Sequence, residues 1–128
     1  MEHPTILVVD DHAAVRAAVG ALARFAFPVC AVIECASAAH GLAAARAHWP
    51  VLAIIDVSLP DMDGLELMVR MREVVPGLSA LVISQHPASI YAARAHAMGA
   101  SGFISKERLH ADLLPAIAQV VGPPPRGA

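Results

Sequence analysis

Short apolar runs alternate along the chain with stretches in which apolar residues return every three or four positions. The runs Ile6-Leu7-Val8-Val9 and Val51-Leu52-Ala53-Ile54-Ile55 are rich in β-branched residues and apolar on both faces, as expected for strands covered on both sides by helices. Strands are predicted over 5–9, 29–34, 51–55, 79–83 and 101–104. Between them, Val15, Ala18, Val19, Leu22 and Phe25 set the period of a helix over 13–26. Ser37 is a suitable N-cap for a second helix over 38–48. A third opens at Gly64 and is stopped by Pro76-Gly77. A fourth spans 88–98 with Gly99 as a left-handed C-cap, and the last spans 107–121. Five strands and five helices in strict alternation predict an α/β fold with an open, doubly wound parallel sheet.

Composition narrows the class. A chain of 128 residues is the size of one domain, and 57% apolar residues with a net charge of −2 exclude a disordered polyelectrolyte. The arginines are scattered and Lys106 is the only lysine, so no basic stripe suggests direct nucleic-acid binding. Charges or turn residues interrupt every apolar stretch before it could span a bilayer, so no membrane association is expected. Met1-Glu2-His3-Pro4 lacks the basic leader of a signal peptide, which points to a cytoplasmic protein. Cys30 and Cys35 read as buried reduced thiols, since no second pair completes a zinc site. The seven histidines show no ligand spacing, and His12 reads as a surface residue at a helix start. Residues 1–121 form the expected domain. In 122–128, three consecutive prolines favour a stiff extended tail, either the start of an interdomain linker or a frayed terminus.

Candidate chemistry sits where the apolar runs end. Asp10 and Asp11 close the first, and Asp56 closes the third. Parallel sheets bind ligands outside the carboxyl ends of their strands, so the three acids should face one crevice. Two carboxylates about 4 Å apart repel by about 4 kcal/mol at an effective dielectric of about 20, which a cation or a raised pKa must relieve. Alone, each acid could merely end a strand. Together they suit a hard cation such as Mg2+, which takes a few protein oxygens and keeps open positions for phosphate. Ser84 ends the fourth strand and Lys106 follows the fifth. A metal, an ammonium and a hydroxyl around Asp56 are what a carboxylate nucleophile needs to accept a phosphoryl group.

On these residues the chain resembles a CheY-like receiver domain of a bacterial two-component response regulator. The match spans about residues 5–121. It rests on Val9-Asp10-Asp11-His12, Ile55-Asp56 followed by Ser58-Leu59-Pro60-Asp61-Met62-Asp63-Gly64, Ser84, and Gly102-Phe103-Ile104-Ser105-Lys106. The resemblance implies a flavodoxin-like sheet of strand order 2-1-3-4-5 with five helices. It implies Asp56 as phosphoacceptor, and Asp10, Asp11, Asp56 and the Ser58 carbonyl as Mg2+ ligands. Lys106 would pair with the phosphoryl group, Ser84 would turn toward it, and Phe103 would be the switch aromatic.

Several residues depart from the common pattern. Glu107 stands where many receivers have a proline in a cis bond, so a trans bond is expected after Lys106. Phe103 lacks the hydroxyl of the usual tyrosine, leaving packing as its only means of switching. Gln85 is larger than the residue usual after Ser84 and could narrow access to Asp56. Ser58 and His86 are expected to flank the phosphoryl group. Trp49 should sit at the amino edge of the sheet, and Ile90, Tyr91 and Met98 are candidates for an exposed partner surface.

The local patterns around Ser58 and Ser105-Lys106-Glu107 look most like the NarL/FixJ group, whose members regulate transcription and usually carry a C-terminal helix-turn-helix, which implies either a receiver cut from such a protein or a stand-alone one. The expected function is phosphorelay signal transduction: transfer from a sensor histidine kinase or phosphotransfer protein to Asp56, then altered binding to an output domain or partner. The resemblance leaves room for a homodimer on phosphorylation. No enzyme activity is expected beyond slow self-dephosphorylation. Two rivals stand beside this reading. A small Mg2+-dependent aspartyl phosphatase usually has a second acid two residues after the nucleophile, where this chain has Ser58. A receiver-like interaction module would work without phosphorylation.

Overall fold

The computed structural model describes residues 3–86 and 88–124. In chain order the elements are β1 (Thr5–Val9), α1 (Ala13–Ala26), β2 (Ala31–Cys35), α2 (Ala38–His48), β3 (Leu52–Asp56), α3 (Gly64–Val74), β4 (Ser79–Ser84), α4 (Ala88–Ala97), β5 (Gly102–Ser105) and α5 (Leu109–Val121). The five strands are parallel in the order β2-β1-β3-β4-β5. This is the doubly wound α/β sheet expected from the alternation.

Strand periodicity divides the core in two. Leu7, Val9, Ala53, Ile55, Ala80 and Val82 face α2, α3 and α4, whereas Ile6, Val8, Leu52, Ile54, Leu81 and Ile83 face α1 and α5. Every residue of β3 is buried, which places its last residue, Asp56, at the centre of the sheet's carboxyl edge. The helices begin and end for local reasons. The Ser37 hydroxyl accepts from the His40 N–H at 3.1 Å, and the Asp63 carboxylate caps α3 by accepting from the Leu65 N–H at 2.7 Å. Gly99 adopts φ 99° after α4, as a left-handed cap requires.

Differences from the sequence reading lie at the edges of elements. β2 runs over Ala31–Cys35 rather than 29–34, because the Cys30 N–H closes a turn on the Phe27 carbonyl at 2.9 Å. β3, β4 and β5 each extend one residue further than expected, so Asp56 and Ser84 belong to their strands. The final helix begins at Leu109, after a single 3-10 turn over Lys106–Arg108. No cis peptide occurs among the described residues, so the Lys106–Glu107 bond is trans. Cys30 and Cys35 are free and buried, and burial pushes the Cys35 thiol up to about 11 against the opposing charge of Arg16. Trp49 caps α2 in the left-handed region at the amino edge and is exposed. Among the described residues of α4, Ile90 is the exposed large apolar one; Tyr91, and Met98 just after the helix, are partly buried against the core and do not form the expected surface patch. Among the described residues, no helix is long and apolar enough to cross a membrane. Of the proline tail, 125–128 lie outside the described residues.

Gly64 is required by close approach. Its N–H donates to the Val57 carbonyl at 2.8 Å, and a Cβ placed there would overlap the Asp56 carbonyl oxygen and press on the Val57 Cα. Backbone on both sides leaves nothing flexible to yield. Gly64→Ala is therefore expected to destabilise the fold by about 2 kcal/mol, in the range of overpacked sites, read as a lower urea midpoint with unchanged m.

Candidate functional site

Four strand ends bring the predicted residues together. Asp10 follows β1, with its N–H on the Cys35 carbonyl at 3.1 Å, and is fully buried. Its Oδ1 accepts from the His12 N–H at 2.8 Å, and its backbone carbonyl accepts from the Arg16 guanidinium at 2.8 Å. Asp56 is 3% exposed, and its Oδ1 accepts from the Ser58 N–H at 3.1 Å. Lys106 reaches across from the end of β5 and donates to Asp56 Oδ2 at 3.1 Å. The same ammonium lies 3.1 Å from Asp10 Oδ2 and pairs with it. One cation thus serves two buried carboxylates.

Burial pushes the Asp56 carboxyl up and Asp10 adds to the rise, against the opposing pull of the Ser58 N–H and Lys106. For Lys106, burial alone would lower the pKa, but Asp56 and Asp10 outweigh it and the ammonium is held charged. The acids remain short of positive charge. Lys106 is shared between Asp10 and Asp56, and Asp10, Asp11, His12 and Asp56 each offer a ligand atom within 4.8 Å of the others. Three carboxylates with a single ammonium among them are a donor set that fits a divalent cation with oxygen ligands. A cavity of about 100 Å3 opens over this cluster, lined by Asp11, His12, Asp56, Ser58 and Gln85. Gln85, exposed after the end of β4, is thus part of the cavity wall.

Ser84 is buried at the end of β4, paired in register with Ser105, and its Oγ accepts from the His86 N–H at 3.0 Å. Phe103 is partly buried against the α4 side of the core and lines a groove of about 550 Å3 that runs along β5 and α5, away from the acids. His86 does not line the acid cavity; its ring packs on Tyr91 with centroids 5.4 Å apart. His12 is exposed at the start of α1, as read from the sequence, yet it also lines the cavity.

Two contributors were not foreseen. Arg16 fixes the Asp10 backbone, and Asp61 spans two N–H groups of α2, accepting from Ala38 at 2.9 Å and Ala39 at 3.0 Å. Those two donors hold the Asp61 carboxyl below the usual carboxylate range. The β3–α3 loop is thereby tied to α2 through Asp61 and to α3 through Asp63.

Because the folded-state pKa of Asp56 lies above its unfolded value, ionising it costs stability as pH rises through the acid range above 3.8. In metal-free buffer at pH 7, Asp56→Asn is expected to melt a few degrees higher than the parent. The gap should narrow on acidification and vanish only below the ordinary carboxyl value, where the residue is protonated in both the folded and the unfolded chain. A pH series of thermal melts on both proteins checks this.

Comparison with known proteins agrees with the geometry. The model of the response regulator receiver domain family matches residues 6–118. The virulence-factor transcription regulator BvgA of Bordetella pertussis is 35% identical over 119 residues, covering 91% of this chain and 56% of BvgA. The nitrate/nitrite response regulator NarL of Escherichia coli K12 is 32% identical over 122 residues, covering 92% of this chain and 55% of NarL. The chain thus spans about half the length of the curated relatives it matches. Among solved structures, a LuxR-family two-component response regulator from Aurantimonas superposes with a TM-score of 0.83 at 29% identity, covering 95% of this chain and 88% of that one. A CheY-like receiver domain protein from Methanospirillum hungatei gives 0.81 at 28% identity, covering 91% and 92%. With its strand order, its acids at the carboxyl edge and this match over most of its length, the chain belongs to the response regulator receiver domain family of two-component systems.

Proposed function

We propose that Asp56 is the phosphoacceptor and that it takes a phosphoryl group from the phosphohistidine of a sensor histidine kinase or phosphotransfer protein. The observation that carries this reading is the Asp56 carboxylate, buried at the end of the central strand and held between the Ser58 N–H and the Lys106 ammonium beneath an open cavity. A carboxylate oxygen attacks phosphorus, the phosphorus–nitrogen bond breaks, and its electron pair leaves with the imidazole, giving an acyl phosphate. Lys106 lies where its charge can move from Asp56 Oδ2 to the incoming phosphoryl oxygens. Asp10, Asp11, Asp56 and the Ser58 carbonyl are the residues that would hold Mg2+, which when bound neutralises charge on the transferring group.

The switch follows from what the neighbours can offer. Ser84 Oγ already accepts from the His86 N–H, so its own proton is free to donate to a phosphoryl oxygen. New charge at Asp56 would draw Ser84 and the β4–α4 loop inward, and Phe103 would repack with them. The face of α4, β5 and α5 would then change its preference for an output domain or partner protein, or for a second copy of the chain. The shared length with BvgA and NarL supports 1–121 as a receiver and 122–128 as the start of a linker to a C-terminal helix-turn-helix. Regulation of transcription, cytoplasmic residence and slow self-dephosphorylation complete the reading.

Intact mass after incubation with Mg2+ and acetyl phosphate tests it. A gain of one phosphoryl group is expected in the parent and not in Asp56→Asn. No gain would favour the module that works unphosphorylated, and turnover of a generic phosphate ester would favour the phosphatase. Lys106→Met is expected to slow the gain by about tenfold or more, because the transferring oxygens lose their ammonium partner.

A further inference from the structure

The mouth of the acid cavity carries a nitrogen donor that the phosphoryl-transfer reading does not use. His12 is exposed, its side chain makes no capping hydrogen bond, and it lines the cavity with Asp11, Asp56 and Ser58. One imidazole nitrogen lies within 4.8 Å of a carboxylate oxygen from each of Asp10, Asp11 and Asp56. The two buried acids, Asp10 and Asp56, share one ammonium, Lys106, which lies 3.1 Å from an oxygen of each and leaves the cluster with more negative than positive charge.

Bonds of about 2.1 Å in an octahedral ion place adjacent ligands about 3 Å apart and opposite ones about 4.2 Å apart. Four atoms within 4.8 Å of one another are therefore within a small side-chain adjustment of one ion. His12 has freedom for that adjustment, being exposed and making no capping hydrogen bond with its side chain.

We infer that the His12 imidazole is a fourth side-chain ligand, which makes the acid cluster a mixed nitrogen–oxygen site that selects first-row transition ions over Mg2+. The inference rests on the reading of Asp10, Asp11 and Asp56 as the divalent-cation site and adds a selectivity to it. Carboxylates alone suit Mg2+ and Mn2+, whereas an imidazole adds affinity for Ni2+, Co2+ and Zn2+ and little for Mg2+. A donor at position 12 therefore changes the ratio of affinities rather than their common level.

The test is competition against bound Mn2+, with released ion read by its solution electron paramagnetic resonance signal, so that Ni2+ taken up at other histidines is silent. His12→Ala keeps the main-chain bond to Asp10 and removes only the ring. Ni2+ is expected to displace Mn2+ from the parent at about tenfold lower concentration than from His12→Ala, while Mg2+ displaces it equally from both. Superimposable Ni2+ curves, with Mn2+ bound to both proteins, would overturn the role of His12 and leave the acid site standing. Failure of both proteins to bind Mn2+ would overturn the acid site and the inference with it.

Discussion

A single ammonium holds the carboxyl edge of this sheet together. Lys106 lies 3.1 Å from carboxylate oxygens of both Asp10 and Asp56, and its side chain is only 9% exposed. Without it, two acids on neighbouring strands would share a dry crevice with no compensating charge, a state that costs several kcal/mol. The parallel order places β1 and β3 side by side, so the acids are neighbours by topology. β5 sits two strands from β3, and only the length of a lysine side chain lets its end reach them. The fold thus assembles a repulsive cluster and supplies one charge too few to satisfy it, which keeps it receptive to a cation and to a phosphoryl group.

Much of this was legible in sequence because it depends on period and position. Alternation of apolar runs and helical repeats is a local signal, and it identified five strands and five helices with errors of one or two residues at their ends. Acids at strand ends are legible for the same reason, since parallel topology fixes which edge they share. The missed features depend on loops and on distance. Asp61 caps α2 from 23 residues downstream, and no spacing rule links a loop carboxylate to the start of an earlier helix. Arg16 reaches the Asp10 carbonyl only because α1 turns back along β1.

The misplacements have physical causes as well. α4 is alanine-rich around its circumference, so its sequence does not say which face is buried, and Tyr91 and Met98 turned inward. His86 follows Ser84 by two residues, as Ser58 follows Asp56, and on that spacing it is expected to flank the phosphoryl group. The strand ends at Ser84, however, and the chain turns so that the ring rests on Tyr91. His12 shows the reverse case. A helix-start position is exposed, and at this edge exposure is compatible with lining the cavity.

The β3–α3 loop is a junction between elements. Asp61 fastens it to α2, Asp63 and Gly64 fasten it to α3 and to the end of β3, and Gly64 leaves no clearance beneath Asp56. Arg94 of α4 lies 3.8 Å from Asp63, in an ion pair open to solvent. Three helices are thus indexed to the short loop that follows Asp56, and the same loop supplies Ser58 to the wall of the cavity. The helical layer on that side of the sheet takes its spacing from the rim of the site.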